Sequence, residues 1–284
     1  MAEATTTSHF DEETTKTTIT TSFVITGFGP FGGVAENPTT VIVRKLDSYL
    51  RSPSSPNRKD ETSKIHKNDR STVADLVKEY VILETSAQAV NETMERIQQD
   101  HCSSSCDSWK KETATTTTNR RIILLHLGVG RSEGFRLESC AYNEATFRIP
   151  DQKGYQPTEQ AIVSSDPVGC CYQTSLDLQG LQKQMEADFP GVSTVISTNP
   201  GRFVCNYVYC KSLEVVSSVG SKKEEEQTAL DESSKALHQN NTINASFSCE
   251  SLFLHVPHFT IISEKEQLAY VACLIQNLAA AQGK

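Results

Sequence analysis

Short apolar runs alternate along this chain with stretches in which apolar residues recur at helical spacing. The runs at 23–27, 80–84, 121–127, 192–197 and 251–256 predict buried strands, and 135–140 predicts a further extended segment. Helical patterns extend from Asn37-Pro38 to about Leu50 and over 86–99, 176–189, 205–216 and 264–281. Because strands and helices alternate and the strands are apolar nearly throughout, the pattern predicts an α/β sheet covered by helices on both faces.

Four polar segments interrupt this pattern. Residues 51–72, 102–119 and 217–246 are dominated by polar and charged side chains, and the first 22 residues are rich in Thr. Such compositions bury too little apolar surface to offset the entropy of ordering. We therefore predict a disordered tail over 1–22 and a single domain over 23–284 that carries three exposed insertions.

Charge and hydropathy exclude several classes of protein. The 284-residue chain has a formal net charge of −8 and no dense basic stripe, which argues against nucleic acid as its main partner. It has no run of about 18 apolar residues, so no membrane-spanning helix is predicted. The first twenty residues lack the apolar core of a secretory signal.

The cysteines indicate a reducing compartment. There are nine of them, an odd and scattered set in a chain too long to depend on disulfides, and the cytosol is the simplest interpretation. Cys102-Ser-Ser-Ser-Cys106 has no second ligand pair at zinc-finger spacing, so we predict no metal site there.

One cysteine stands in the setting of a nucleophile. The predicted strand 192–197 leads through the Pro200-Gly201 turn to Cys205, which opens a predicted helix. A thiol at a helix start lies near unpaired N–H groups and the positive end of the helix dipole, and both favour the thiolate. Cys205 is therefore the candidate nucleophile of an enzyme.

A cysteine nucleophile needs a general base. His255 and His258 bracket the end of the strand at 251–256, and the ends of sheet strands are where α/β folds place their chemistry. We choose His255, with Pro257 fixing the turn after it, and keep His258 as the alternative. His126 lies in the middle of a strand, where a core histidine is at least as good an interpretation as a catalytic one.

A base of this kind is held by an acid, and Glu138 is the candidate. It lies in the alternating segment Gly134-Phe-Arg-Leu-Glu138, where a half-buried carboxylate could accept the second imidazole N–H. The residues leave an equal alternative open, in which Glu138 is a surface residue paired with Arg136 or Arg131.

The loop Gly27-Phe-Gly-Pro-Phe-Gly-Gly33 matches the dinucleotide pattern G-x-G-x-x-G, but its context differs. The next helix is predicted to begin only at Asn37-Pro38, and Asp47, at the spacing of the ribose-binding acid, falls inside that helix. Phe28 and Phe31 predict instead one wall of an apolar pocket, with two core phenylalanines in a tight turn as the alternative.

These segments, in this order, resemble the pyroglutamyl-peptidase I family of cysteine peptidases, and most closely its plant-type members. The likeness is carried by Thr26-Gly-Phe-Gly-Pro-Phe-Gly-Gly33 with Asn37-Pro38, by Leu137-Glu-Ser-Cys-Ala-Tyr-Asn143, by Phe147-Arg-Ile-Pro-Asp151, by Pro200-Gly-Arg-Phe-Val-Cys205 and by Phe253-Leu-His-Val-Pro257. It spans the predicted core.

The resemblance implies a single α/β/α sandwich with a twisted mixed sheet and removal of N-terminal pyroglutamate from peptides, without a cofactor or metal. It places the nucleophile, base and acid on Cys205, His255 and Glu138. The substrate-binding residues that it implies are Phe28, Phe31, Asn37, Ile149, Phe203, Val204 and Arg148. Neither a membrane nor nucleic acid is an expected partner, and the sequence does not indicate an oligomeric state.

The chain departs from the family pattern at a few positions. Val129 stands where many members carry glutamine, Cys210 replaces a usual tyrosine, and the segment 217–246 lengthens the distance between nucleophile and base. Two other hypotheses remain at this stage: a pyroglutamyl-peptide-binding homologue without turnover, and a nucleotide binder that uses the Gly27–Gly33 loop.

Overall fold

The structure, a computed structural model, describes residues 16–33, 36–52, 70–102, 116–233 and 246–281. The strands are β1 (Lys16–Phe28), β2 (Val77–Leu83), β3 (Thr116–Val129), β4 (Phe135–Glu138), β5 (Cys140–Tyr142), β6 (Cys171–Gln173), β7 (Thr194–Ser197) and β8 (Phe247–Val256). The helices are α1 (Pro38–Arg51), α2 (Arg70–Leu76), α3 (Ala87–Asp100), α4 (Leu178–Asp188), α5 (Val204–Ser233) and α6 (Glu264–Ala280).

Six of the strands form one mixed sheet in the order β2-β1-β3-β8-β4-β7. Neighbouring strands are parallel except β4 and β8, which are antiparallel. The two remaining strands, β5 and β6, form a small antiparallel ribbon. Because β3 and β8 run in parallel at the centre, their carboxyl ends meet at one edge of the sheet, the edge where α/β folds bind ligands.

Apolar side chains cover both faces of this sheet. One cluster packs α1, α4 and α6 against it through residues such as Leu46, Met185 and Leu274. The other packs α3 and α5 against the opposite face through Met94 and Val208. The predicted α/β sandwich with a mixed sheet and helices on both faces is confirmed.

Local signals account for where the helices begin. Asn37 caps α1 by accepting from Thr39 N, with Pro38 as the first helical residue. Ser86 caps α3, and Ser263 with Glu266 forms a capping box on α6. All three starts lie at or within one residue of the predicted ones.

All four predicted polar segments contain some regular structure, and these predictions need correction. Helix α2 begins at Arg70, inside the insertion predicted over 51–72. β1 begins at Lys16, inside the tail predicted as disordered, and β3 begins at Thr116, inside the second insertion. The two threonine-rich stretches pair with each other, Lys16 with Thr116 through Ser22 with Ile122. β-branched Thr favours strands, and pairing supplies the backbone partners that composition alone does not reveal.

The last correction concerns α5, which continues to Ser233 through the first part of the predicted loop 217–246. The added turns carry Lys222-Lys-Glu-Glu-Glu226, and Lys and Glu are good helix formers, so the helix continues through a polar sequence. Residues 1–15, 53–69, 103–115 and 234–245 lie outside the described residues, as do the parts of the predictions that fall on them.

Candidate active site

Cys205 is the second residue of α5 and is partly exposed. Between the end of β7 at Ser197 and the helix, Gly201 has a φ of 84°, a left-handed conformation that glycine adopts without strain. The first N–H groups of a helix have no partner within it, so the thiol stands among free backbone donors. The predicted strand, turn and helix start are confirmed here.

Asn206 ties this helix start to the ribbon strand β5. Its side-chain amide donates to Tyr142 O at 2.8 Å and Glu144 O at 2.9 Å, and its Oδ1 accepts from Tyr142 N at 2.8 Å. The residue is fully buried. Since it directly follows Cys205, these three bonds fix the position of the thiol relative to the segment that carries Glu138.

His255 and Glu138 form a buried hydrogen-bonded pair. The imidazole Nδ1 lies 2.7 Å from Glu138 Oε1, and both side chains are buried. The antiparallel pairing of β4 with β8 aligns Arg136 with His255 and Glu138 with Phe253, which brings the two residues together from positions 117 apart in the chain. The surface interpretation of Glu138 is therefore wrong.

The surroundings of His255 favour its charged form. Burial lowers the pKa of the imidazole, but hydrogen bonds and charge interactions with Cys205 and Glu138 outweigh it and raise the pKa to about 9. Cys205 contributes to this rise, so the candidate nucleophile lies close enough to the imidazole to interact with it. Nucleophile, base and acid thus form one connected set.

The other histidines considered have different surroundings. His126 is fully buried, bonds Thr26 Oγ1 through Nδ1 at 2.8 Å, and has its pKa lowered to about 3 by burial. It is a neutral core histidine. His258 is exposed and lines the neighbouring pocket.

Arg136 makes a further contact with the acid. Its guanidinium lies 3.4 Å from Glu138 Oε1 and donates to Ser197 Oγ at 2.6 Å and Asn199 O at 3.0 Å. The arginine therefore joins the carboxylate to the loop that leads towards Cys205. The pairing of Glu138 with Arg136 was part of the alternative drawn from the sequence.

Two glycines at the end of β3 leave room for these groups, and the sequence analysis missed both. A Cβ on Gly128 would lie 2.5 Å from Phe253 Cζ and 3.1 Å from Cys205 Sγ. One on Gly130 would lie 3.1 Å from His255 Cβ. The signal was present in the sequence, because glycines at the end of a strand often mark a close approach of other groups.

Beside Cys205 lies an apolar pocket of about 200 Å³. It is lined by Phe28, Phe31, Asn37, Pro38, Thr85, Val129, Phe203, Val204, Cys205 and His258. Phe31 packs against Phe203 with ring centroids 5.3 Å apart. Five of the seven residues predicted to bind substrate are therefore in one lining.

The glycine loop is held by hydrogen bonds to α1 and β2. Phe28 N donates to Thr39 Oγ1 at 2.9 Å, and Gly29 N donates to Leu83 O at 2.8 Å. Asn37 caps α1 and donates to Gly29 O, so its amide holds the loop. These two loop N–H groups have partners within the protein, which argues against a phosphate cradle, and Phe28 and Phe31 do line the predicted pocket.

Arg148 and Ile149 lie elsewhere. Both are exposed, and neither is in the pocket lining. Their neighbour Phe147 is buried and packs edge-on against Phe203 at 4.7 Å, so this segment reaches the pocket wall through Phe147. A substrate contact for Arg148 and Ile149 stays a prediction.

Thr85 is a pocket residue that the sequence analysis did not identify. Its side chain is buried, and its hydroxyl has no hydrogen-bond partner among the described residues. It lies between β2 and α3, where polar residues are common in turns, so nothing in the sequence indicated a binding role. In an otherwise apolar pocket, this hydroxyl is a free donor and acceptor.

Two further features of the described residues bear on other functions. None of the helices in this part of the chain is long and apolar enough to cross a membrane. No group of three or more His, Cys, Asp or Glu side chains there is arranged to hold a metal ion.

Comparisons with known proteins identify the family. The family model described as pyroglutamyl peptidase matches residues 81–226, just over half of the chain. The pyrrolidone-carboxylate peptidase of Pyrococcus furiosus is 26% identical to this chain, and the match covers 70% of this chain and 76% of that protein. The pyrrolidone-carboxylate peptidase of Thermococcus litoralis is 25% identical, and the match covers 67% of each chain.

Solved structures agree in fold. The pyrrolidone carboxyl peptidases of Thermococcus litoralis and Fervidobacterium islandicum superpose with TM-scores of 0.56 and 0.57 at 19% and 21% identity. The superpositions cover 91% and 90% of this chain and 92% and 97% of theirs. The matched model spans Glu138 and Cys205, and on this evidence the chain belongs to the pyroglutamyl peptidase family.

Proposed function

We propose that Cys205, His255 and Glu138 are the catalytic triad with which this family member hydrolyses the N-terminal pyroglutamyl residue of peptides. The observation that carries the proposal is the placement of Cys205, which lines the apolar pocket and also lies close enough to the buried His255–Glu138 pair to raise the pKa of the imidazole. The reaction needs no metal or cofactor in this scheme.

The first half of the reaction transfers the acyl group to sulfur. The Cys205 thiolate attacks the carbonyl carbon of the pyroglutamyl group. The carbonyl oxygen becomes an oxyanion, which backbone N–H groups at the start of α5 stabilise. The imidazolium of His255 gives its proton to the amine of the next residue as the C–N bond breaks. A thioester on Cys205 and a peptide shortened by one residue result.

The second half regenerates the enzyme. His255, now neutral, takes a proton from water, and the resulting nucleophile attacks the thioester carbonyl. Pyroglutamate leaves, and the thiolate and imidazolium are restored. Glu138 accepts a hydrogen bond from Nδ1 throughout, which holds the ring so that its other nitrogen faces the sulfur.

The pocket suits a pyroglutamyl ring. This group is a small neutral lactam without a free amine, so it requires apolar walls and a few hydrogen bonds rather than a carboxylate. Phe28, Phe31 and Phe203 supply walls, and the free hydroxyl of Thr85 supplies a polar contact. Arg148 and Ile149 remain proposed contacts to the substrate.

The cytosol remains the proposed compartment. All eight cysteines among the described residues are free thiols, as expected for a protein that works under reducing conditions.

Release of aminomethylcoumarin from its pyroglutamyl amide tests the proposal. We expect turnover by the wild-type protein under reducing conditions and at least a 1000-fold loss in Cys205→Ser, roughly the loss when a nucleophile is removed. Cys210→Ser is the matched control, because Cys210 is a buried thiol on the same helix and is expected to leave turnover within a few-fold.

Equal activity in Cys205→Ser would place the nucleophile elsewhere. If well-folded wild-type protein binds a pyroglutamyl peptide and does not cleave it, the chain is a binding homologue.

A further inference from the structure

Two cysteines far from the candidate active site lie in direct contact. Cys102 Sγ and Cys249 Sγ are 3.1 Å apart, although 147 positions separate them in the chain. Both are buried, at 3% and 8% exposure, in the apolar cluster between the sheet and α3 and α5. The catalytic scheme uses neither.

The backbone at each thiol is held in place. Cys102 follows the end of α3, and its N–H donates to Ile97 O and Gln98 O at 3.3 and 3.2 Å. The residue before it, His101, is held to Glu79 of β2 at 3.0 Å. Cys249 is in β8, paired with Ile122 of β3. Neither thiol can move far from the other while the fold is intact.

The geometry is close to that of a disulfide. The sulfurs are 3.1 Å apart and a disulfide bond is about 2.05 Å long, so they need to approach by only about 1 Å. We propose that Cys102 and Cys249 are a dithiol site that hydroperoxides convert to a disulfide. The site would remain reduced in a reducing cytosol and close under oxidising conditions.

The chemistry balances with one peroxide. The Cys102 sulfur, after losing its proton, attacks one peroxide oxygen; the O–O bond breaks, a sulfenic acid forms, and the departing hydroxide becomes water with that proton. The Cys249 sulfur then attacks the Cys102 sulfur, the S–O bond breaks, and the thiol proton leaves with the hydroxyl as a second water. Two thiols and one peroxide give one disulfide and two waters.

This order of events follows from the contact. The hydrogen bond with Cys102, and then burial, raise the pKa of the Cys249 thiol, so Cys249 loses its proton less readily. Cys102 is therefore the sulfur that attacks the peroxide, and Cys249 then attacks the oxidised Cys102. A water-sized oxidant is needed, because both thiols are nearly covered.

The consequences are structural rather than catalytic. The bond would tie the end of α3 to the beginning of β8. Cys249 is six residues before His255 on a strand that rises about 3.3 Å per residue, so roughly 20 Å separate this site from the triad. Oxidation here is thus separable from oxidation of Cys205.

Peptide mapping of the full chain tests the proposal. Cys205→Ser protein, which spares the nucleophile from oxidation, is treated with hydrogen peroxide, blocked with iodoacetamide, digested without reductant and examined by mass spectrometry. We expect a linked peptide pair joining Cys102 to Cys249, two hydrogens lighter than the sum of its parts and absent after reduction. We also expect the melting temperature of the intact Cys205→Ser protein to rise by several degrees on oxidation.

Two variants control the assignment. Cys106→Ser, which removes the nearest other cysteine in sequence, should keep the linked pair, and Cys249→Ala should lose both the pair and the thermal shift. A link between Cys102 and Cys106, or both Cys102 and Cys249 fully alkylated after a peroxide dose that oxidises Cys205 completely in the wild-type protein, would overturn the proposal.

Discussion

At the scale of single residues, the charge state of His255 governs the expected behaviour of the enzyme. The imidazolium donates the proton that the leaving amine needs, and the pKa of this group is raised to about 9. The consequence is a rate that falls when that proton is lost.

We therefore expect kcat/KM to decline on the alkaline side with an apparent pKa near 9, because neutral His255 cannot protonate the leaving amine. Initial rates with the coumarin substrate from pH 6 to about pH 10.5, corrected for irreversible inactivation, measure this limb. A decline centred near the ordinary histidine value of 6.5 would contradict the assignment.

The same shift makes stability depend on pH. A folded-state pKa of about 9 against the ordinary 6.5 means that His255 stabilises the fold fully below pH 6.5 and that this contribution disappears as the pH rises through 9. We expect urea unfolding of the wild-type protein to show this loss between pH 6.5 and 9. His255→Gln should lack this pH-dependent loss of stability. An identical pH dependence in both proteins would show that His255 does not cause the loss.

Gly128→Ala tests the close approach at the end of β3. The new carbon would lie 2.5 Å from Phe253 and 3.1 Å from Cys205 Sγ, so ring and thiol have to move. We expect a loss of about 1–3 kcal/mol in the free energy of unfolding, typical of overpacking, and a larger fall in kcat than rise in KM. Gly130→Ala, which approaches the His255 Cβ at 3.1 Å, should be milder in stability. Unchanged kcat in Gly128→Ala would show that the sulfur has room to move.

At the scale of elements, the active site depends on contacts that hold α5 to the β5 segment and β4 to the end of β7 and the loop that follows it. Asn206 and Arg136 make these contacts, and neither is expected to touch the substrate. Their roles can be separated from simple folding by kinetic readouts.

Asn206→Ala removes all three hydrogen bonds between the start of α5 and the β5 segment and leaves buried carbonyls unpaired. We expect stability to fall by about 1–3 kcal/mol and kcat to fall more than KM rises, because Cys205 loses its fixed position. Asn91→Ala is the matched control, since it removes one bond to Tyr207 on the same helix. If both variants lose equal activity, Asn206 has only a general structural role.

Arg136→Gln changes the electrostatics of the acid. The guanidinium, 30% exposed and 3.4 Å from Glu138 Oε1, competes with His255 for the same oxygen. Removing the cation should raise the pKa of His255, so the alkaline limb of kcat/KM should move to higher pH by about half a unit, a modest shift because solvent screens the guanidinium. Arg136→Lys, which keeps the charge, should stay near the wild-type profile. If the alkaline limb of kcat/KM moves to lower pH in Arg136→Gln, Arg136 does not lower the pKa of His255.

At the scale of the whole molecule, the periodicity of apolar residues was enough to predict most of the architecture. Elements with a buried face, such as β8 and α6, were found because burial leaves a regular pattern. The ribbon strand β6 was missed because it is three residues long and mostly exposed. The extension of α5 was missed because its residues are mainly polar and charged, a composition that loops share.

The candidate site was only partly accessible from the residues. The position of Cys205 at a helix start is local and could be read directly, whereas the choice between His255 and His258 and the burial of Glu138 depend on strand pairing across 117 positions. The resemblance to a known family supplied that choice. The space left by Gly128 became visible only when β3, β8 and α5 were packed together.

The central pairing of β3 with β8 also has a consequence for how the chain folds. Arg120 pairs with Phe247 and Val129 with Val256, so each pair forms only after the chain has closed a loop of 127 positions, a little under half of its 284 residues. Contacts of such long sequence separation form slowly, since the loop between them has to close first. Because His255 is on β8, recovery of peptidase activity during refolding should follow this late step, while helical signal returns earlier.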